Sequence, residues 1–196
     1  MPDLAGGIAR FQRDVFPAKA DLFAGLAAHH TPHTLFISCS DARVVPELIT
    51  GCEPGELFVI RTAGNLVPAC TPRADGVAAS IEYAVAVLGV SDIVVCGHSA
   101  CGAMTALAHG QDLGTAPAFA DWLRHADAPR ARTAPGDVAG LVRQNVHAQL
   151  ANLATHPSVV RALAGHEITL HGWVYDIGSG HVEELRTADH GPAVAA

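Results

Sequence analysis

Two short segments of the chain carry the residues best suited to chemistry. The first reads Cys39-Ser40-Asp41-Ala42-Arg43 and the second reads His98-Ser99-Ala100-Cys101-Gly102. Thiolate and imidazole groups suit zinc, and Cys39, His98 and Cys101 would supply three such ligands. Three protein ligands leave a fourth tetrahedral position open, which is typical of catalytic rather than structural zinc sites. The His-x-x-Cys spacing alone is weak evidence, because a cysteine near a strand end is usually a small buried hydrophobic residue.

Predicted strands lead directly into both segments. Three apolar runs bounded by turn residues have the length and composition of buried strands, namely Thr34–Ser38, Leu57–Arg61 and Asp92–Gly97. Another run, Ile168–Tyr175, predicts a fourth strand, and Val182–Leu185 returns beside it across the turn at residues 178–180. The two chemical segments therefore lie where strands end and loops begin, which is where active groups of parallel sheets are found.

Helical patterns alternate with these strands. Val77, Ile81, Val85 and Leu88 recur at helical spacing, and Gly89 follows as a stop. We therefore expect an α/β fold with a central, mainly parallel β-sheet, an antiparallel edge strand and flanking helices.

The remaining regions complete a predicted single domain over residues 1–196. Residues 1–32 predict an N-terminal helical arm of one or two amphipathic helices, broken at Pro17. Residues 113–135, rich in Ala, Pro and Asp, predict loops with one short helix near residues 119–125. Residues 187–196 predict a flexible tail.

Composition excludes several classes of function. The 196 residues carry a formal charge of -7, so the chain has no electrostatic reason to bind nucleic acid or an anionic membrane. Apolar runs are shorter than the roughly 20 residues that a membrane helix needs. Five cysteines, an odd number, without a recognisable signal peptide predict reduced thiols and a cytoplasmic location.

Together, the two chemical segments resemble those of the beta-class carbonic anhydrases. Both the C-x-D-x-R and the H-x-x-C-G patterns match, as does the separation of 59 residues between Cys39 and His98. The resemblance extends from about residue 20 to 186. It includes four further segments: Arg61–Asn65, Ser80–Ala84, Gln144–Val146 and His171–Tyr175.

The resemblance implies reversible hydration of carbon dioxide to bicarbonate and a proton, by attack of a zinc-bound hydroxide. It implies one Zn²⁺ per chain on Cys39, His98 and Cys101, and a catalytic dyad of Asp41 and Arg43. The Asp41 carboxylate would accept a hydrogen bond from the hydroxide, and Arg43 would keep Asp41 ionised through a forked pair. It also implies that residues 1–32 are a dimerisation arm and that the chain forms a homodimer or a tetramer.

Three further residues are candidates for substrate binding. The backbone N–H of Gly102, at a predicted helix start, could bind a substrate oxygen. Tyr83 matches a family position near the dimer cleft, although plain packing explains a helical tyrosine equally well. His30 stands where many family members have a glutamine that reaches the substrate, and a loop histidine without a role is the alternative.

One regulatory feature of the family is doubtful here. Bicarbonate-inhibited members have Trp, Arg and Tyr at the positions of Phe36, Arg61 and Tyr175. Phe36 has no N–H donor, so the sequence argues against that regulatory site.

Two other functions are alternatives to the hydration of carbon dioxide. Relatives with the same zinc constellation hydrolyse carbon disulfide or carbonyl sulfide, and channel shape, which a sequence does not reveal, separates them. A zinc-stabilised regulatory protein without turnover would require a fourth protein ligand, for which Asp41 is the candidate near the motifs.

Overall fold

The computed structural model describes residues 3–73 and 75–186. The chain divides between Thr31 and Pro32 into two compact units, and each is described by itself. The predicted flexible tail, residues 187–196, lies outside the described residues.

The second unit is built on one five-stranded sheet with the order β2-β1-β3-β4-β5. The first four strands run parallel, and the last pairs antiparallel with its neighbour at the edge. This confirms the predicted sheet. The strands are β1 (Thr34–Cys39), β2 (Leu57–Thr62), β3 (Asp92–His98), β4 (Thr169–Tyr175) and β5 (Val182–Leu185).

Strand register brings the two chemical segments together. All six residues of β1 are buried, as expected for a central strand covered on both faces. Ser38 of β1 pairs with Cys96 of β3, so Cys39 and His98 follow within two residues of this pair. Cys39 and His98 therefore lie at the carboxyl ends of adjacent strands.

Helices pack against the sheet. In the second unit they are α3 (Pro46–Thr50), α4 (Gly76–Glu82), α5 (Gly102–Ala108), α6 (Pro117–Trp122), α7 (Asp127–Ala131), α8 (Val138–Leu153) and α9 (Pro157–Ala164). The longest, α8, packs very closely on β3. A Cβ atom added to Gly97 would lie 2.9 Å from a methyl group of Val146 and 3.0 Å from one of Val142, so only glycine allows this approach.

Two details differ from the sequence prediction. Residues 113–135 are more helical than expected, since α6, a 3₁₀ segment (Leu123–Ala126) and α7 follow one another. Pro117 begins α6, and burial of Leu123 and Ala126 holds the segment against the core. Helix α4 continues as a wider π-helical segment (Tyr83–Leu88) before Gly89, with φ of 70°, ends it as predicted.

The first unit is helical throughout most of its length. Helix α1 (Leu4–Arg10) leads into a π-helical segment (Phe11–Val15), a 3₁₀ segment (Phe16–Lys19) and α2 (Ala20–Ala28). The break predicted at Pro17 is thus a 3₁₀ turn rather than an interruption. Phe16 and Phe23 stack at 5.4 Å between ring centroids. The apolar side chains of Leu4 and Ile8 are exposed, at 76% and 60%.

Candidate metal centre

Cys39, His98 and Cys101 converge at the carboxyl edge of the sheet. Cys39 ends β1, His98 ends β3, and Cys101 is the N-cap residue of α5. All three side chains are buried, and their ligand atoms lie within 4.8 Å of one another. The structure thus brings together the three ligands that the sequence predicted.

The histidine of this cluster has one partnered and one unpartnered nitrogen. Nδ1 lies 2.9 Å from the carbonyl oxygen of Ser99, and because a carbonyl can only accept, Nδ1 carries the proton. Nε2 is buried and has no hydrogen-bond partner among the described residues. A buried nitrogen without a partner is unfavourable unless a metal ion binds it, and a donor set of one nitrogen and two sulfurs fits zinc.

A strained turn connects the histidine to the second cysteine. Ala100 adopts φ of 52°, a left-handed conformation that is unfavourable for a residue with a Cβ atom. The turn is held on its other side, because Ser99 N–H donates to the carbonyl of Tyr175 and Ser99 Oγ accepts from the N–H of Ile177. Strain of this kind is typical of functional sites, where the surrounding structure fixes the backbone.

The two thiols influence each other strongly. Hydrogen bonding from Cys101 lowers the pKa of Cys39. Contacts with His98 and with the backbone N–H groups of Gly64 and Asp41 act in the same direction, against the effect of burial. The pKa of Cys101 is raised, because its thiol donates to Cys39 and is buried. One thiolate is therefore already favoured, and a cation binding both sulfurs would displace the proton of Cys101.

Asp41 and Arg43 form a forked ion pair beside the cluster. Arg43 Nε donates to Asp41 Oδ1 at 2.9 Å, Nη2 donates to Oδ2 at 2.7 Å, and the Arg43 backbone N–H adds a third bond. These hydrogen bonds hold the pKa of Asp41 well below its usual range. Asp41 Oδ2 also lies 4.0 Å from His98 Nε2, so the carboxylate is next to the candidate metal position.

Arg43 also contacts the second chemical segment. Its Nη2 donates to the carbonyl oxygen of Ala100 at 3.1 Å. One guanidinium group therefore joins the loop after β1 to the turn after β3. Lysine has no planar fork and could not make these contacts together.

Arg61 organises the loop after β1 in a way that the sequence did not reveal. Its Nε donates to the carbonyl of Cys39 at 3.1 Å, and its Nη2 donates to the carbonyls of Asp41 and Val44 at 2.6 and 2.7 Å. The motif around Arg61 was visible in the sequence, but no local signal gives an arginine its backbone partners. In this structure the guanidinium fixes the loop that carries Cys39 and Asp41.

A second support lies behind Cys39. The backbone N–H of Gly64 donates to Cys39 Sγ at 3.4 Å. Asn145 Nδ2 donates to the carbonyl of Gly64 at 3.0 Å, and Gln149 Nε2 donates to Asn145 Oδ1 at 2.9 Å. Gln149 Oε1 in turn accepts from the N–H of Val67 at 2.8 Å. Helix α8 therefore fixes the segment that donates to the candidate thiolate ligand.

The structure places the other predicted residues as follows. Gly102 is the first residue of α5, directly after Cys101, with open space where a Cβ atom would lie. Tyr83 is 43% exposed, and its ring contacts that of Phe58 at 5.9 Å between centroids. His30 lies in the first unit, two residues after α2. The roles of all three stay predictions.

Phe36 stands at the position where bicarbonate-inhibited members of the family have a tryptophan. Phe36 is fully buried and meets the ring of Trp173 edge-on at 6.0 Å. Tyr175 packs on the same cluster of side chains. Phe36 thus has a packing role here.

A buried cluster of two thiols and an imidazole, at the end of a parallel sheet and beside an ionised carboxylate, defines a candidate metalloenzyme centre. Comparison with known proteins identifies the family to which the chain belongs. The family model described as "Carbonic anhydrase" matches residues 34–182. The carbonic anhydrase of Pseudomonas aeruginosa is 58% identical over 192 residues, covering 94% of this chain and 87% of that protein.

Solved structures agree. The structure of the beta-carbonic anhydrase CcaA superimposes with a TM-score of 0.88 at 39% identity, covering 92% of each chain. A chain from the tetrameric beta-carbonic anhydrases of Sordaria macrospora gives a TM-score of 0.75 at 31% identity, covering 93% of this chain and 92% of that one. This chain belongs to the beta-class carbonic anhydrase family.

Proposed function

We propose that this chain interconverts carbon dioxide and bicarbonate, with one zinc ion per chain held by Cys39, His98 and Cys101. The observation that supports the zinc site most directly is the buried, unpartnered Nε2 of His98 beside two buried sulfurs. Family membership supports the reaction. When bound, zinc would supply the Lewis acidity that lowers the pKa of a coordinated water from 15.7 to about 7 in related chemistry.

Asp41 and Arg43 are the proposed catalytic dyad. Because Arg43 keeps Asp41 ionised, the carboxylate acts only as a hydrogen-bond acceptor. It would accept a hydrogen bond from the attacking water species and so orient a lone pair of that oxygen towards carbon dioxide. Arg43 bonds both carboxylate oxygens and the turn at Ala100, which fixes this orientation relative to the ligands.

Substrate contacts are proposed for three groups. The N–H of Gly102 would donate to a substrate oxygen, which the open space at its Cα atom allows. Tyr83 and His30 would line the substrate cleft, as the positions that they match do in the family. Replacing His30 with Gln should change turnover only modestly, and a lack of any effect on turnover or substrate affinity would remove His30 from the site.

We also propose that the chain forms a homodimer or tetramer through the arm at residues 1–32. Exposed Leu4 and Ile8 on α1 support a buried role for this arm in an assembly. The relatives from Sordaria macrospora are described as tetrameric. Gel filtration should give at least a dimer, and an active monomer would contradict the proposal.

A cytoplasmic location is proposed from the cysteines. All five are free thiols in the structure, as expected in a reducing compartment. Among the described residues, no helix combines the length and apolar composition needed to cross a membrane.

Stopped-flow hydration of carbon dioxide tests the proposed reaction. Protein of known zinc content would be assayed at about pH 7, near the ionisation of zinc-bound water in related chemistry, and at about pH 9. We expect rapid hydration with one zinc per chain. Zinc without hydration at either pH, together with sulfide release from carbon disulfide or carbonyl sulfide, would instead identify a sulfur-compound hydrolase. Zinc with neither activity would indicate a non-catalytic role.

A further inference from the structure

A second group of metal-binding side chains lies at the opposite end of the sheet. His33 directly precedes β1, Glu56 directly precedes β2, and Cys52 lies between α3 and β2. Their ligand atoms, a ring nitrogen, a sulfur and a carboxylate oxygen, lie within 4.8 Å of one another. At about 3.3 Å per residue, the six steps along β1 from Cys39 to His33 put roughly 20 Å between the two clusters.

We propose that His33, Cys52 and Glu56 bind a second divalent transition metal ion of the zinc class. Imidazole, thiolate and carboxylate are the three ligand types that zinc and cobalt accept in proteins. Magnesium and calcium prefer oxygen ligands alone, which excludes them. One thiolate and one carboxylate neutralise the charge of a divalent ion, and three protein ligands leave a position for water.

Backbone hydrogen bonds hold the ligands in register. The N–H of His33 donates to the carbonyl of Glu56 at 3.1 Å, which continues the parallel pairing of β1 with β2. The carbonyl of His33 accepts from the N–H of Ser91 at 2.9 Å, and the N–H of Cys52 donates to the carbonyl of Glu47 at 3.1 Å. Each ligand is thus attached to a fixed part of the sheet or of α3, so little conformational freedom is lost on binding.

Side-chain contacts restrain two of the ligands further. His33 Nδ1 lies 2.6 Å from Thr34 Oγ1, and Thr34 is itself buried at the start of β1. Glu56 Oε2 accepts from the N–H of Glu53 at 2.7 Å. Contacts of this kind orient the ligands of known metal sites. Zinc lies about 2.0–2.3 Å from its ligands, so the ion needs only small rotations of these side chains.

The site is open to solvent. His33 and Cys52 line a cavity of about 190 Å³ that also contacts Thr50 and Trp173. Cys52 is half-buried, whereas Cys96 and Cys101 are fully enclosed. A metal ion can therefore reach the sulfur of Cys52 and keep a water ligand on its cavity side.

Cobalt titration of the zinc-loaded protein tests this site. Zinc at Cys39, His98 and Cys101 is spectroscopically silent, so a cobalt–thiolate charge-transfer absorption would report a thiolate elsewhere. We expect one further equivalent of cobalt to bind with this absorption, while a chelating dye shows no release of zinc. Absence of the absorption, or its growth in step with zinc release, would overturn the proposal.

Variants assign the ligands. Cys52→Ser should abolish the absorption, whereas Cys70→Ser, which removes an exposed thiol elsewhere, should leave it unchanged. Glu56→Gln should weaken cobalt binding at least about tenfold, since even outer contacts of metal sites contribute 10–100-fold. An unchanged zinc content at the first site shows that each variant is folded. Absorption that persists in folded Cys52→Ser would refute the assignment.

Discussion

Replacement of Gly64 by alanine probes how tightly the segment behind Cys39 is fixed. Gly64 has φ of 75°, and a Cβ atom there would lie 3.0 Å from Ala103 Cβ and 3.1 Å from Met104 Cε. The left-handed conformation costs a residue with a Cβ atom about 1–2 kcal/mol, and crowding in a packed core typically adds about 1–3 kcal/mol. At roughly 2–4 °C per kcal/mol, Gly64→Ala should lower the thermal midpoint by about 4–20 °C.

Gly89→Ala is the matched control. Gly89 has a similar φ of 70° but nothing within 4 Å of the added Cβ atom, so it carries the conformational penalty without the crowding. Its midpoint should fall by only about 2–8 °C. Both variants would be melted with zinc bound, at one protein concentration. Equal shifts would refute the argument that contact with Ala103 and Met104 fixes Gly64.

Zinc retention gives a second measurement on the same pair of variants. The N–H of Gly64 donates to Cys39 Sγ, so a shift of this segment would weaken the support of the proposed ligand. We expect Gly64→Ala to release zinc to a chelating dye faster than the unaltered protein, and Gly89→Ala to release it at the original rate. Faster release from Gly89→Ala alone would contradict the role of Gly64.

Three further predictions concern pH and thiol reactivity. Because two thiolates would cancel the charge of a bound Zn²⁺, its water ligand should be less acidic than at an all-histidine site. Hydration should therefore be faster at about pH 9 than at about pH 7, and a flat profile would count against this. The lowered pKa of Asp41 means that its pair with Arg43 stabilises the folded chain above the unfolded pKa of about 3.9 and less as the pH falls through the lower folded value. In urea unfolding, the loss caused by Arg43→Gln should therefore shrink below about pH 4; a loss that grows in acid would be inconsistent with it. Burial raises the pKa of Cys96 to about 12, so iodoacetamide at about pH 8 should label exposed Cys70 and leave Cys96 unmodified in peptide mass spectra; labelling of Cys96 in the folded protein would contradict its burial.

Much of the fold could be predicted because its signals are local. The parallel strands are short, mostly apolar runs bounded by turn residues, and Gly89 and Pro157 mark helix boundaries at the residues where the structure has them. The segment over residues 113–135 was harder to predict from the sequence. Its short helices depend on burying Leu123 and Ala126 against the rest of the unit, which no local pattern shows.

The candidate site likewise has a part that the sequence predicts and a part that it does not. Its ligands were predictable, since Cys39 and His98 follow strands directly and Cys101 lies one turn later. The residues that support these ligands could not be predicted. Arg61 meets its carbonyl partners only in the folded chain, and Asn145 contacts Gly64, which lies 81 residues away in the sequence. A polar Asn145 and Gln149 at helical spacing beside apolar Val146 was the one available signal.

The second cluster shows the same limit. His33, Cys52 and Glu56 have no spacing typical of a metal motif, and the sequence alone gave Cys52 no role. Parallel pairing of β1 with β2 brings His33 and Glu56 together, so this grouping depends on the sheet.

The most direct test of the proposed zinc site and its reaction is the zinc content and carbon dioxide hydration rate of Cys39→Ala, measured beside Cys96→Ala. Both cysteines are buried in neighbouring strands, but only Cys39 belongs to the cluster with His98 and Cys101. We expect Cys39→Ala to lose zinc and hydration, while Cys96→Ala retains about one zinc per chain and rapid hydration. Zinc and hydration that survive in Cys39→Ala would contradict this expectation.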